Sequence, residues 1–185
     1  MTLLTGIQCR LPDCRTSLVL FVLAFQLAGC SIPRAERRNM LPTDVPTSPR
    51  NESTVALQVT SEELPLDMLP VAEFRAALEM AIRTSGVFGR VEAAGPAKYL
   101  IRVRINSMDT PTAFAGDMQV RLVIHWELQR AATGATLWKD IIATKHVSPS
   151  SDAVAALARA KIALEASARS NIRDAFQQIR ELNLD

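Results

Sequence analysis

Lys98-Tyr99-Leu100-Ile101-Arg102-Val103-Arg104-Ile105-Asn106, followed further on by Met118-Gln119-Val120-Arg121-Leu122-Val123-Ile124-His125-Trp126-Glu127-Leu128, decides the fold. In the first run Tyr99, Ile101, Val103 and Ile105 alternate with Leu100, Arg102, Arg104 and Asn106. In the second, Met118, Val120, Leu122, Ile124, Trp126 and Leu128 alternate with Gln119, Arg121, Val123, His125 and Glu127. Side chains of a strand alternate between two faces, so both runs predict long strands with one apolar and one mostly polar face. Such strands need cover on one side only, which points to an antiparallel sheet with an open face.

Working outward, Ala135 to His146 carries Leu137, Trp138, Ile141 and Ile142 in a less clean alternation, so a third strand is expected with its register open. Thr133-Gly134 marks a tight turn before it, and Asp109 to Gly116, with Pro111, a longer loop. Upstream, Val55, Leu57 and Val59 alternate with Ala56, Gln58 and Thr60, a short first strand. After Pro70, the residues Val71, Phe74, Leu78, Ala81 and Ile82 recur at three and four, with Arg75, Glu79 and Arg83 on the other side, so a helix is expected to end at Gly86. From Ser151 to Leu182 a second stripe runs through Val154, Leu157, Leu164, Ala168, Ile172, Phe176, Ile179 and Leu182, with Ser150, Ser151 or Asp152 as its cap and Arg159, Arg169 and Arg173 opposite. Thirty-two residues of helix would reach about 48 Å, against about 36 Å for a domain of this size, so the helix must overhang or break near its Ala-rich start.

The expected fold is α+β: a two-layer sandwich of order β-α-β-β-β-α, with a mostly antiparallel four-stranded sheet covered on one face by two helices. At 185 residues one domain is the default. Charged residues make up 22% and the net charge is +2, which excludes a disordered polyelectrolyte and a strongly basic nucleic-acid binder.

The N-terminus is built differently. Arg10 and Arg15 precede an apolar run from Thr16 to Gly29, the layout of a secretory signal. About 14 residues of helix span only about 21 Å, short of a bilayer core of roughly 30 Å. Leu27-Ala28-Gly29-Cys30 resembles the lipobox of bacterial lipoprotein precursors. The resemblance implies cleavage before Cys30, acylation of its sulfur and its new amino terminus, and, because Ser31 rather than Asp follows, sorting to the outer membrane of a Gram-negative cell. The plain alternative is a secreted protein with a chance cysteine beside its cleavage site. Cys9 and Cys14 leave with the signal, so the mature chain has no thiol pair for a disulfide. Residues 30–54 contain Pro33, Pro42, Pro46 and Pro49 and no apolar period, and predict a lipidated, Pro-rich tether reaching roughly 25 to 30 Å as a coil. Arg34, Arg37 and Arg38 within it are either solvated linker charges or contacts to anionic headgroups. The parse is therefore 1–29 signal peptide, 30–54 tether and 55–185 α+β periplasmic domain, the last with 15 Lys+Arg against 15 Asp+Glu.

The order of elements, the Glu73 to Phe88 helix ending in Ser-Gly-Val-Phe, the Lys98 to Val103 strand, and Val120 to Trp138 with its Thr133-Gly134 turn resemble the auxiliary lipoproteins of ABC-type lipid-trafficking systems. That likeness implies an accessory subunit of an envelope complex. It is architectural and carries no chemical motif.

No nucleophile elbow, phosphate-binding Gly-rich loop or His-Glu-x-x-His motif is present in the sequence, so no enzyme, metal site or cofactor is expected. The histidines are His125 and His146. For His125, Asp140 is the sole plausible catalytic recruit, and a hydrogen-bonded strand histidine is the simpler reading. Trp126 reads as core, and Trp138 is open. The outward parity of Arg102, Arg104 and Arg121 predicts a cationic patch, interrupted by Leu100 and Val123, that suits an acidic partner segment or a phosphate-bearing lipid. A solvated face balanced by Glu127 and Asp140 is the alternative. The partners expected are the membrane through Cys30, another envelope protein and a phospholipid, with no nucleic acid. The leading expectation is a non-catalytic interaction subunit. The runner-up is a lipid-binding or lipid-transfer component working through the open sheet face.

Overall fold

A computed structural model describes residues 32–45, 52–62, 67–93, 95–110, 116–182 and 184. Cys30, Ser31 and the Pro111 loop lie outside them. The sheet strands are β1 (Thr54–Ser61), β2 (Arg90–Glu92), β3 (Tyr99–Asp109), β4 (Met118–Arg130) and β5 (Thr136–Ser148), and the helices are α1 (Val71–Ser85) and α2 (Ala156–Arg180). The strands form one sheet in the order β2-β1-β3-β4-β5. The expected α+β sandwich is present, with both helices on one face.

Two details differ. The sheet has five strands, and it is mixed: β1 runs parallel to both β2 and β3, while β3, β4 and β5 form an antiparallel meander. A helical crossover between β1 and β3 brings the chain back in the same direction, which enforces parallel pairing there. The extra strand β2 is three residues long, too short to show an alternation in sequence.

The apolar faces meet as their periods require. Val55 and Leu57, Tyr99 to Ile105, and Met118 to Leu128 bury their alternate side chains against Phe74, Leu78, Ile82, Leu164, Ile172 and Phe176 of the helices. Helix α1 ends where Gly86 adopts φ 69°, a left-handed conformation costly for any residue with a Cβ, and its N–H bonds the Ile82 carbonyl. Val87 and Phe88 fold back and are buried.

Helix α2 begins at Ala156, not Ser151. Its 25 residues reach about 37 Å, close to the expected width of the domain, because the helix starts after the first of the Ala-rich stretch. None of the expected residues caps it: the N-cap position is Ala155, Asp152 accepts from Ser148 Oγ at 2.8 Å, and the Ser150 backbone N–H bonds Asp117. The entry to α2 is closed instead by Arg159, which is buried and donates to the carbonyls of Ala153 and Val154 at 2.6 and 2.8 Å. Val154, expected on the apolar stripe, precedes the helix and is fully exposed.

The expected free tether is the largest correction. Residues 32–45 pack on the domain as a strap, with a 3-10 turn at Arg37–Met40. Ala35 and Met40 are fully buried in the main core. The buried Glu165 carboxylate of α2 accepts from the Glu36 N–H at 2.8 Å and Asn39 Nδ2 at 3.0 Å. Lys161 pairs with Glu36 at 2.6 Å, Arg169 donates to the Asn39 carbonyl, Arg173 pairs with Asp44, and Glu73 of α1 accepts the Arg37 N–H. Arg34 pairs with Asp67, and Arg38 with Glu36. Proline and arginine hide this segment from any periodicity test, yet Ala35 and Met40 in the core, the buried Glu165 carboxylate and the surrounding ion pairs dock it.

Candidate functional site

The pleat that buries Ile101, Val103 and Ile105 sends Arg102 and Arg104 to the other face of the sheet. The same holds on β4, where Arg121, Val123, His125 and Glu127 point away from the helices. Pairing aligns these residues in rows across the strands. Gln58, Arg102, Glu127 and Lys139 make one row; Thr60, Arg104, His125 and Ile141 make the next; Asp109, Arg121 and Lys145 make a third.

Arg102, Arg104, Gln58, Thr60, His125 and Glu127 line a depression of about 240 Å3 floored by Val103. Arg102 Nε donates to Gln58 Oε1 at 3.1 Å, which aims the guanidinium along the sheet, and Arg104 lies 3.7 Å from Glu62. Arg121 is exposed on the same face but not beside them. It stands opposite Asp109, its partner at 3.4 Å, about 13 Å along β4 from His125. The expected three-arginine patch is thus two arginines at one depression and a third, partly neutralised, further along.

Glu127 sits between Arg102 and Lys139. The Thr136 hydroxyl at 2.7 Å and the Gln129 amide at 2.9 Å hold its carboxyl below the ordinary range, Arg102 adds to this, and burial opposes it. Asp140 does not balance the face, contrary to the expectation. It lies on the helix side of β5, opposite Trp126, and accepts from Gln178 Nε2 at 2.9 Å. His125 and Asp140 are therefore on opposite faces of the sheet. Among the described residues no group of three or more His, Cys, Asp or Glu is placed to hold a metal.

Sequence reasoning missed Lys139 and Lys145, which add to the outward charge, and the apolar Ile141, Ala143 and Val147 between and beside them. The reason is a bulge. A register shift opposite Leu128 and Gln129 leaves Leu137 without a partner, and β5 then turns its polar residues inward. They are satisfied there by α2. Trp138 Nε1 donates to Gln178, and the Thr144 hydroxyl donates to the Ser167 carbonyl at 2.9 Å. Asn171 Nδ2 donates to the Ile142 carbonyl at 2.8 Å.

No family model matches the chain, and no curated protein matches it in sequence. Solved structures do match. Protein XCC0632 from Xanthomonas campestris, of the DUF330 family, superposes with a TM-score of 0.54 at 10% identity over 78% of this chain and 89% of that one. What is shared is the fold. Protein CT253 from Chlamydia trachomatis gives 0.51 at 13% identity, covering 70% of this chain and 96% of its own. The PelC dodecamer from Paraburkholderia phytofirmans gives 0.50 at 15% identity, covering 76% and 96%.

Proposed function

We propose that this chain is a non-catalytic accessory lipoprotein of the Gram-negative envelope, held in the outer membrane by an acylated Cys30 and docking another envelope protein through its open sheet face. The observation that carries the reading is the Leu27-Ala28-Gly29-Cys30 motif placed five residues ahead of Ala35, the first buried residue of the strap. No described helix is long and apolar enough to cross a membrane. Docking is supported by the charge of the open face. Arg102, Arg104, Arg121, Lys139 and Lys145 stand there against Glu62, Asp109 and Glu127, while the domain as a whole is neutral.

Acylation is tested by Cys30→Ala with palmitate labelling and membrane fractionation. The expected result is loss of label and of membrane attachment with the fold intact; continued labelling overturns it. Docking is tested by comparing the chain with a variant carrying Arg102→Glu, Arg104→Glu and Arg121→Glu in affinity capture from envelope extract. One stoichiometric protein recovered by the parent and lost by the variant supports docking, and equal recovery by both sinks it.

A second reading, a lipid-binding or lipid-transfer component, is favoured by the depression between Arg102 and Arg104, whose guanidinium groups suit a phosphate headgroup. Phospholipid that co-purifies with the parent and is absent from the triple variant decides for it. Membership in an ABC-type lipid-trafficking system is the finest form of this proposal, supported by the resemblance of the helix, strand and turn segments.

A further inference from the structure

The strap changes what the anchor can do. A free tether of some 24 residues, reaching roughly 25 to 30 Å as a coil, would let a domain present any side to the bilayer. The strap leaves only residues 31–34 between Cys30 and Ala35, whose N–H is already bonded to the Met68 carbonyl at 2.7 Å. Five residues, fully extended, span at most about 18 Å. The strap lies against α1 and α2, bonded to Glu73, Lys161, Glu165, Arg169 and Arg173. A helix layer of about 10 Å and the sheet spacing of about 10 Å separate that side from the open sheet face.

Resting on the acylation of Cys30 proposed above, we infer that the strap side of the domain is a bilayer-facing surface, and that its docking points the open sheet face away from the membrane. To turn the sheet toward the headgroups, the leader would have to span both layers, about 20 Å, which is more than the roughly 18 Å it covers when stretched straight. The surface that meets the bilayer is the depression between the strap and the start of α1, lined by Arg34, Arg37, Arg38, Ala72 and Glu73, with the exposed Ile32 beside the anchor. Arg34 and Arg38 are paired with Asp67 and Glu36, and the Glu73 carboxylate lies beside Arg37, whose backbone N–H it accepts. The covalent leash, not attraction to anionic lipid, therefore sets the orientation, and the occupant is a zwitterionic headgroup layer. With the sheet held outward, a protein partner has access to Arg102 and Arg104.

The mature chain has no thiol besides Cys30, so single labels can be placed. Acylated protein carrying Ala72→Cys on the strap side or Ala143→Cys on the open face is labelled with a donor dye. It is then reconstituted into phosphatidylcholine–phosphatidylethanolamine vesicles bearing a headgroup acceptor. The expected energy transfer is several-fold stronger from position 72 than from 143, and equal at low and high salt. Equal transfer from the two positions, stronger transfer from 143, or a difference abolished by salt overturns the inference while leaving acylation standing. Protein that fails to float with the vesicles overturns both. Met40→Asp, which undocks the strap, is expected to bring the two signals together in protein that still floats.

Discussion

Asn171 is the most connected of the buried polar groups between the sheet and α2. Its Oδ1 accepts the Trp126 indole N–H at 2.8 Å, and its Nδ2 serves the Ile142 carbonyl and, at 3.3 Å, the Thr144 hydroxyl. All four groups sit between β4, β5 and α2, where water cannot replace a lost partner. Removing one side chain strands several donors and acceptors at once, each costing about 1 to 3 kcal/mol. Asn171→Ala should therefore lower stability by about 2 to 4 kcal/mol, read as a fall in denaturant midpoint at unchanged slope. Phe74→Ala and Ile172→Ala, both fully buried, should each cost about 2 to 5 kcal/mol. Arg75→Ala removes only a part-exposed pair with Glu79 and should cost under about 1 kcal/mol. A reversed ranking would mean that the helical faces are assigned wrongly. Phe74, Ile172 and Trp126 were all legible as core because their periods are clean. Asn171 was not, because one amide on an apolar stripe signals nothing until its partners on two strands are known.

At the scale of elements, the strap is the feature with the most testable energy. Met40 is fully buried between the helices, so Met40→Ala should cost about 2 to 4 kcal/mol, whereas truncating a residue of a free tether would cost nothing measurable. The strap also responds to acid in a defined direction. The Lys161 ammonium, and then Arg38, hold the Glu36 carboxyl below the ordinary glutamate value. A carboxylate with a lowered folded-state pKa stabilises fully above its unfolded value, about 4.3, and loses that contribution as pH falls through the folded value. Hydrogen exchange at the Glu36 and Asn39 amides, corrected for intrinsic rates, should show constant protection from pH 7 to about 5 and weaker protection only in more acid solution. Loss of protection between pH 7 and 6 would exclude Glu36 as the group responsible. The long strands and α1 were readable element by element. The start of α2 was not, because Ser150, Ser151 and Asp152 are good cap residues, and the shift to Ala156 follows from contacts that periodicity does not show: Ser148 on Asp152, Asp117 on the Ser150 backbone N–H, and Arg159 on the Ala153 and Val154 carbonyls.

For the whole molecule, the open face separates stability from binding. Arg102, Arg104 and Arg121 are exposed and make loose pairs at best, so reversing each to Glu should change stability by about 0.5 kcal/mol. The triple variant should keep a thermal midpoint within a few degrees of its parent. A collapse of that midpoint would show the arginines to be structural. Local period and local chemistry are enough for the α+β order, the covered and open faces of β3 and β4, the Gly86 cap and the outward parity of the three arginines. Tertiary structure alone decided the parallel pairing of β1, the register of β5, the separation of Arg121 from its fellows and the docking of residues 32–45. Each depends on partners distant in the chain. A bulge at Leu137 reverses the inward face of β5 only because Ser167, Asn171 and Gln178 wait there to satisfy it, and a proline-rich segment becomes a strap only because Glu165 is buried where its N–H groups can reach.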